Sequence, residues 1–246
     1  MRLLLASTGL GAVSVMLAAP AIAETVISTA TTAPLSTSTS GDIRITSTGS
    51  VKPTSGAAIT INSSNTVKNE GAIAIQGVNG AVGILANPNL TGDITNSGSI
   101  TIDEDYTPTD ADKDGDLDGP FAQGTDRYGI HVLGGGTFAG TVSNSGTITV
   151  EGNQSAGIAV DSALAGSITD TGKITVTGDN SVGIRTGDVS GNVSLGATSV
   201  TSVTGKDSVG VLLGGNIGGG VYYATAMQTD NAGNTGTSPD FGPFTR

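Results

Sequence analysis

TNSGSITI, residues 95–102, returns as SNSGTITV at 143–150 and as TDTGKITV at 169–176, with a looser copy, KNEGAIAI, at 68–75. A second phrase accompanies it: AVGILA (81–86), RYGIHV (127–132), SAGIAV (155–160), SVGIRT (181–186) and SVGVLL (208–213). A third lies just upstream of the first and reads GDIT (92–95), GTVS (140–143), GSIT (166–169) and GNVS (191–194). The first-phrase glycines fall at 71, 98, 146 and 172, and those of the second at 83, 129, 157, 183 and 210. The period is therefore 26–28 residues, broken once by an insertion between 98 and 129. Degenerate copies at 47–51 (STGSV) and 55–61 (SGAAITI) bring the count to about six units.

Within each unit apolar and small polar residues alternate, which places residues i and i+2 on one face of a strand. Ile73, Ile100, Ile148 and Ile174 share one inward position, and Ile75, Ile102, Val150 and Val176 the next. Ala74, Thr101, Thr149 and Thr175 lie between them and face outward. In the second phrase Ile84, Ile130, Ile158, Ile184 and Val211 point in, while Leu85, His131, Ala159, Arg185 and Leu212 point out. The third phrase adds Val67, Ile94, Val142, Ile168 and Val193. Three short strands per unit of fixed length predict an all-β chain wound as a parallel β-solenoid, with like side chains stacked in columns. Asn69, Asn96, Asn144 and Asp170 each precede the first-phrase glycine by two. They are expected to form a structural amide ladder, at a corner where Asn also tolerates a left-handed turn.

Composition agrees. The chain of 246 residues holds 39 Gly, no Cys and no Trp, with only 3% aromatic and 13% charged residues. The charged fraction is about half the usual ~25%, and mean hydropathy is +0.10. Intrinsic disorder combines low hydrophobicity with high charge, so it does not fit. A net charge of −11 repels phosphate backbones and anionic lipid, which argues against nucleic acid as a partner. Without cysteine, the fold holds without disulfides.

Residues 1–23 read as a secretory signal. Arg2 opens it, Leu3 to Leu17 is apolar, Pro20 breaks the helix, and Ala21-Ile22-Ala23 supplies the small-x-small site before Glu24. Residues 24–42 are a Ser/Thr-rich segment and cap, 43–223 the β-helix repeats with an acidic insertion at 103–124, and 224–246 a polar tail.

The repeated N-S-G-x-I-x-[VI] phrases resemble the passenger region of bacterial autotransporters, over roughly residues 43–221. That resemblance implies a right-handed parallel β-helix of about six three-strand rungs. It also implies export through the periplasm to the cell surface or the medium, and a role as spacer, adhesin or self-associating module. The implied partners are a host or neighbouring cell surface, a glycan, or a second copy. The family's outer-membrane translocator is a β-barrel, of at least about eight strands of ~10 residues. Residues 224–246 contain nothing of that kind, so the expectation is an N-terminal part of a longer protein.

The insertion carries the chain's one concentrated chemical motif, DADKDGDLDG at 110–119. Asp110, Asp112 and Asp114 alternate, Gly115 permits a sharp turn, Asp116 offers a carbonyl and Asp118 follows. Alternating carboxylates before a glycine resemble the start of a calcium loop. The twelfth position is Phe121, not the usual bidentate acid. A calcium site and a plain solvated acidic loop are both open readings.

Catalytic patterns are scarce. His131, the single histidine, lies outward beside Tyr128 with no Ser/Asp partners of a triad around it. The Gly runs 134–136 and 218–220 lack the lysine of a phosphate loop. Asp161, Arg185 and Asp188 lie on adjacent rungs and could serve a β-helix polysaccharide lyase or hydrolase, although in different columns. The sequence thus favours a non-catalytic passenger, with that enzyme as the alternative.

Overall fold

The computed structural model describes residues 23–115, 117–223, 227–229 and 235–237. The expected signal segment, up to residue 22, lies outside the described residues. Alternating Ile/Thr segments form three-to-five-residue strands, and the chain turns after each one. A single turn of the solenoid consists of Val142–Asn144, Thr147–Glu151 and Ala156–Val160. Each strand pairs in parallel with its equivalent in the next turn, not with its neighbour in sequence. Parallel strands need a long crossover, and here the other two strands of the turn supply it. The result is three parallel sheets of eight, seven and seven strands around one apolar interior.

The chain is therefore the all-β parallel β-helix that the repeat predicts, with about seven turns rather than six. The added turn comes from the Ser/Thr-rich segment. Thr25–Ile27, Ala30–Thr31 and Leu35–Ser36 pair with Ile43–Ile45, Ser50–Val51 and Ala57–Ile61. Its residues are too degenerate to show the period by eye. At the other end Met227–Thr229 and Thr235–Thr237 form an antiparallel pair, and the rest of the expected tail from 224 lies outside the described residues. Among the described residues no helix is long and apolar enough to cross a membrane.

The predicted columns stand in register. Ile73, Ile100, Ile148 and Ile174 pair in sequence along the second sheet and are fully buried. Removing such a side chain from water stabilises by about 1.5–3 kcal/mol, so these columns outweigh any single polar contact. The column ends in Thr201, whose hydroxyl is buried without a hydrogen-bond partner.

A further inward column was not legible as a phrase. Phe138, Leu164 and Val189 are 0–1% exposed and stack through Phe138↔Leu164, Leu164↔Val189 and Val189↔Ile217. They close the side between the third and first sheets. Their flanks differ in every turn, so only the spacing marks them.

The corner glycines of the first phrase answer to crowding. A Cβ on Gly98 would stand 2.1 Å from the carbonyl oxygen of Gly71, and one on Gly146 2.0 Å from that of Gly98. Stacked backbones touch there, and only glycine fits. The asparagines two residues earlier, which could tolerate a left-handed turn, are not among the residues with positive φ. Positive φ instead recurs where the second sheet turns into the third, at Gly80, Asp126, Gln154, Asn180 and Asp207.

Candidate functional site

The insertion leaves the second sheet after Asp103 and returns at Tyr128, the first residue of Tyr128–Val132. The stack does not notice it: Ile100 and Ile148 still pair directly across the interruption. Its tip is built on aspartates that bind the loop's own backbone. Asp110 accepts hydrogen bonds from the N–H of Lys113 (2.6 Å) and of Gly115 (3.1 Å). Asp112 accepts from Asp114 N–H (3.2 Å). Asp118 accepts from Ala111 N–H (2.6 Å) and Asp112 N–H (3.2 Å). These bonds offset carboxylate repulsion and gather Asp110, Asp112 and Asp118, whose ligand oxygens lie within 4.8 Å of one another.

Of the five expected ligands, these three are brought together. Asp114 is exposed and stands outside the trio, and Asp116 lies outside the described residues. Phe121, at the position where a bidentate acid was missing, is 8% exposed. Each carboxylate oxygen carries two lone pairs, so the backbone bonds leave acceptor capacity for a hard cation. The trio therefore fits such an ion in chemistry.

The base of the insertion holds a second cluster, which the sequence reading missed. Arg127 is 1% exposed. Its Nη1 donates to Glu104 Oε2 (2.9 Å) and to the Glu151 carbonyl (2.6 Å), and its Nε to the Val78 carbonyl (2.9 Å). Glu104 also accepts from the N–H groups of Gln123 (2.6 Å) and Gly124 (2.8 Å), so one carboxylate ties the insertion's two arms together. A signal was present: Arg127 interrupts a column of small residues, Ala81, Ser155, Ser181 and Ser208. Burying an arginine there requires a partner nearby in the fold.

The Glu151 side chain lies under the same cover, 8% exposed. Burial, then the facing Asp103 carboxyl and the Glu104 charge, push its pKa up to about 8.

On the outer face of the third sheet, Asp161 accepts bidentately from Arg185 Nε and Nη2, both at 2.8 Å. His131 Nε2 lies 2.9 Å from the same carboxylate. Tyr128 stacks on the His131 ring at 4.1 Å and takes the Arg185 guanidinium at 5.9 Å. Beneath them Ala156, Ala159 and Val182 make a small covered patch; Ala159 does face outward, but it is fully buried. Burial lowers the His131 pKa below its ordinary value, against the opposing pull of Asp161. Burial alone would raise Asp161, but its bonds to Arg185 and His131 hold it lower. Asp161 and Arg185 thus meet as the enzyme reading requires, whereas Asp188 accepts the N–H of Asn216 (2.7 Å) instead.

The three-sheet solenoid with a single tied-down acidic insertion defines a parallel β-helix domain. The particular family follows from sequence: residues 8–205 match the family described as BigA third pectate lyase-like domain, and the chain belongs to that family. No curated protein and no solved structure matches the chain.

Proposed function

We propose that this protein is an exported, non-catalytic passenger of autotransporter type, displayed at the cell surface or secreted, serving adhesion, self-association or spacing. The observation that carries this reading is the outward column of the second sheet. Ala74, Thr101, Thr149, Thr175 and Ser202 repeat there in register, a flat face of small, mostly hydroxyl-bearing side chains. Such a face suits a glycan, a neighbouring cell surface or a second copy. On the third sheet the charged outward groups are spent on one another: both Asp161 oxygens are taken by Arg185 and His131. A cavity of about 380 Å³ lies elsewhere, at the last turn, lined by Ser194, Leu195, Gly196, Val221, Tyr222 and Tyr223. The acidic loop completes the proposal as a calcium site held by Asp110, Asp112 and Asp118.

The test has two arms. Expression of the whole chain in a Gram-negative bacterium should yield protein beyond the cytoplasm, cleaved before Glu24; a cytosolic, uncleaved product would sink the export reading. Purified protein should sediment as an oligomer or bind cells or glycans, and lose this on Thr101→Lys/Thr149→Lys. Turnover of an acidic polysaccharide, abolished by Arg185→Ala, would instead establish the enzyme.

A further inference from the structure

The carboxyl pair at the base of the insertion, half-buried Asp103 and buried Glu151, has a task that neither the repeat nor the loop explains. Ile102 and Val150 pair across adjacent turns, so Asp103 and Glu151, each one residue further, occupy one outward column. Gln76 precedes them and Thr177 follows in that column. Gln76 is exposed and Thr177 half-buried, as outward positions should be. Glu151 is instead 8% exposed, because the start of the insertion and Arg127 lie over it. Its Oε1 is buried with no hydrogen-bond partner.

Two carboxylates facing each other cannot donate. With a proton on one of them they can share a hydrogen bond, and the cover above no longer encloses two like charges. The charged groups facing Glu151 are Asp103 from the second sheet, Glu104 from the insertion's first turn, and Arg127, just after the insertion ends. Arg127 does not neutralise the pair, since it is engaged by Glu104, the Val78 carbonyl and the Glu151 backbone. Asp103 Oδ1 already accepts the Glu104 N–H at 2.9 Å.

We infer that Asp103 and Glu151 form a proton-held latch that fastens the insertion to the solenoid and releases it when the proton is lost. Docked, the insertion keeps Glu151 dry and protonated. Lifted, it exposes Glu151 to water, where the carboxyl ionises. Opening therefore releases one proton, and the linkage has a definite sign. The docked value of about 8 exceeds the ordinary 4.5, so the latch holds fully below about 4.5. It weakens as pH rises, and reaches its weakest state above about 8. Between those limits the opening constant rises by up to ~10-fold per pH unit.

The experiment is amide hydrogen exchange on the full chain, corrected for intrinsic rates and run with and without chelator from about pH 5 to 9. The Gln123 and Gly124 amides, held by Glu104, should lose protection by up to ~10-fold per unit and level off near pH 8. Core amides such as Ile148 should not follow. Glu151→Gln, which keeps the shape and supplies a permanent donor to Asp103, should make the profile flat. Asp103→Asn, donating to a now ionised Glu151, should also remove most of the slope. A flat wild-type profile, or an unchanged slope in Glu151→Gln, overturns the latch. A slope abolished by chelator would mean that a cation, not a proton, holds the pair, and overturns it equally.

Discussion

Asn144 Nδ2 donates to Asp170 Oδ1 over 2.7 Å inside the solenoid, and that bond ends a chain that runs in one direction. Asn69 donates to Asn96 and Asn96 to Asn144, each at 2.7 Å, and all four residues are fully buried. Every amide gives its N–H₂ toward the next turn, and Asn96 and Asn144 accept from the one before. Only the last position can be a pure acceptor, and it is the aspartate, which also takes the Ser199 hydroxyl. Beyond the ladder the column is apolar, with Ile45 below Asn69 and Leu195 above Asp170.

That polarity predicts an asymmetry. Asp170→Asn keeps the Oδ1 acceptor, and its amide can donate to the Ser199 oxygen, so the cost should be about 1 kcal/mol or less. Asn96→Asp accepts from Asn69 but leaves Asn144 Oδ1 without a donor and buries a charge, costing roughly 3 kcal/mol or more. Urea midpoints of the two variants measure the difference. Equal losses would mean that the ladder has no direction.

The isoleucine columns predict a contrast one residue apart. Ile148 is fully buried between Ile100 and Ile174, so Ile148→Asp should cost on the order of 4 kcal/mol. Thr149 faces outward and is half-buried. Thr149→Asp should cost under about 1 kcal/mol. Comparable shifts in the denaturation midpoint would mean that Thr149 also points inward.

How far the sequence speaks depends on whether a residue belongs to the period. Ile148, Thr149 and the asparagines recur at fixed spacing, and a one-residue slip would turn a whole strand over, so their faces were legible. Phe138, Leu164 and Val189 keep the spacing without a shared phrase and were passed over. Arg127 stands at a periodic position, where it was visible as the odd residue in a column of small ones, but Glu104 belongs to the insertion, which occurs once; their meeting depends on how 103–127 folds back, and no periodicity encodes that. The acidic loop was legible as a cluster of aspartates. Which of them converge was not, because the Asp118 contacts to Ala111 and Asp112 close the loop across its width.

The outer-face cluster predicts weakening toward acid. The His131 pKa lies below its ordinary 6.5, so the unfolded chain takes up a proton that the folded chain refuses. The stability this represents is complete above about pH 6.5 and is lost as pH falls below it. Asp161, held below its ordinary 3.8, adds a second loss in the same direction at lower pH. His131→Gln keeps a donor toward Asp161 but does not titrate. Melting temperatures of wild type and variant should run parallel at neutral pH and separate progressively below 6.5, the wild type falling faster. Curves that stay parallel to pH 5 would place His131 in free exchange with solvent.

Calcium binding by the insertion tests which carboxylates matter. A ligand oxygen from each of Asp110, Asp112 and Asp118 lies within 4.8 Å of the other two, whereas Asp114 stands apart from that group. A divalent cation would relieve repulsion within the trio and stiffen the loop, with affinity in the ~10⁻⁴–10⁻³ M range of exposed extracellular sites. The expected result of isothermal titration is weak binding by wild type, little change in Asp114→Asn, and loss of heat in Asp112→Asn/Asp118→Asn. Because Ile100 and Ile148 pair without help from the insertion, calcium should protect the 105–122 stretch from proteases while leaving the strand signal in circular dichroism unchanged. Magnesium should compete poorly, since an irregular ring of carboxylates and carbonyls suits the larger ion's looser coordination. Equal binding by wild type and the double variant, or none by either, would leave the trio a set of backbone-binding aspartates and nothing more.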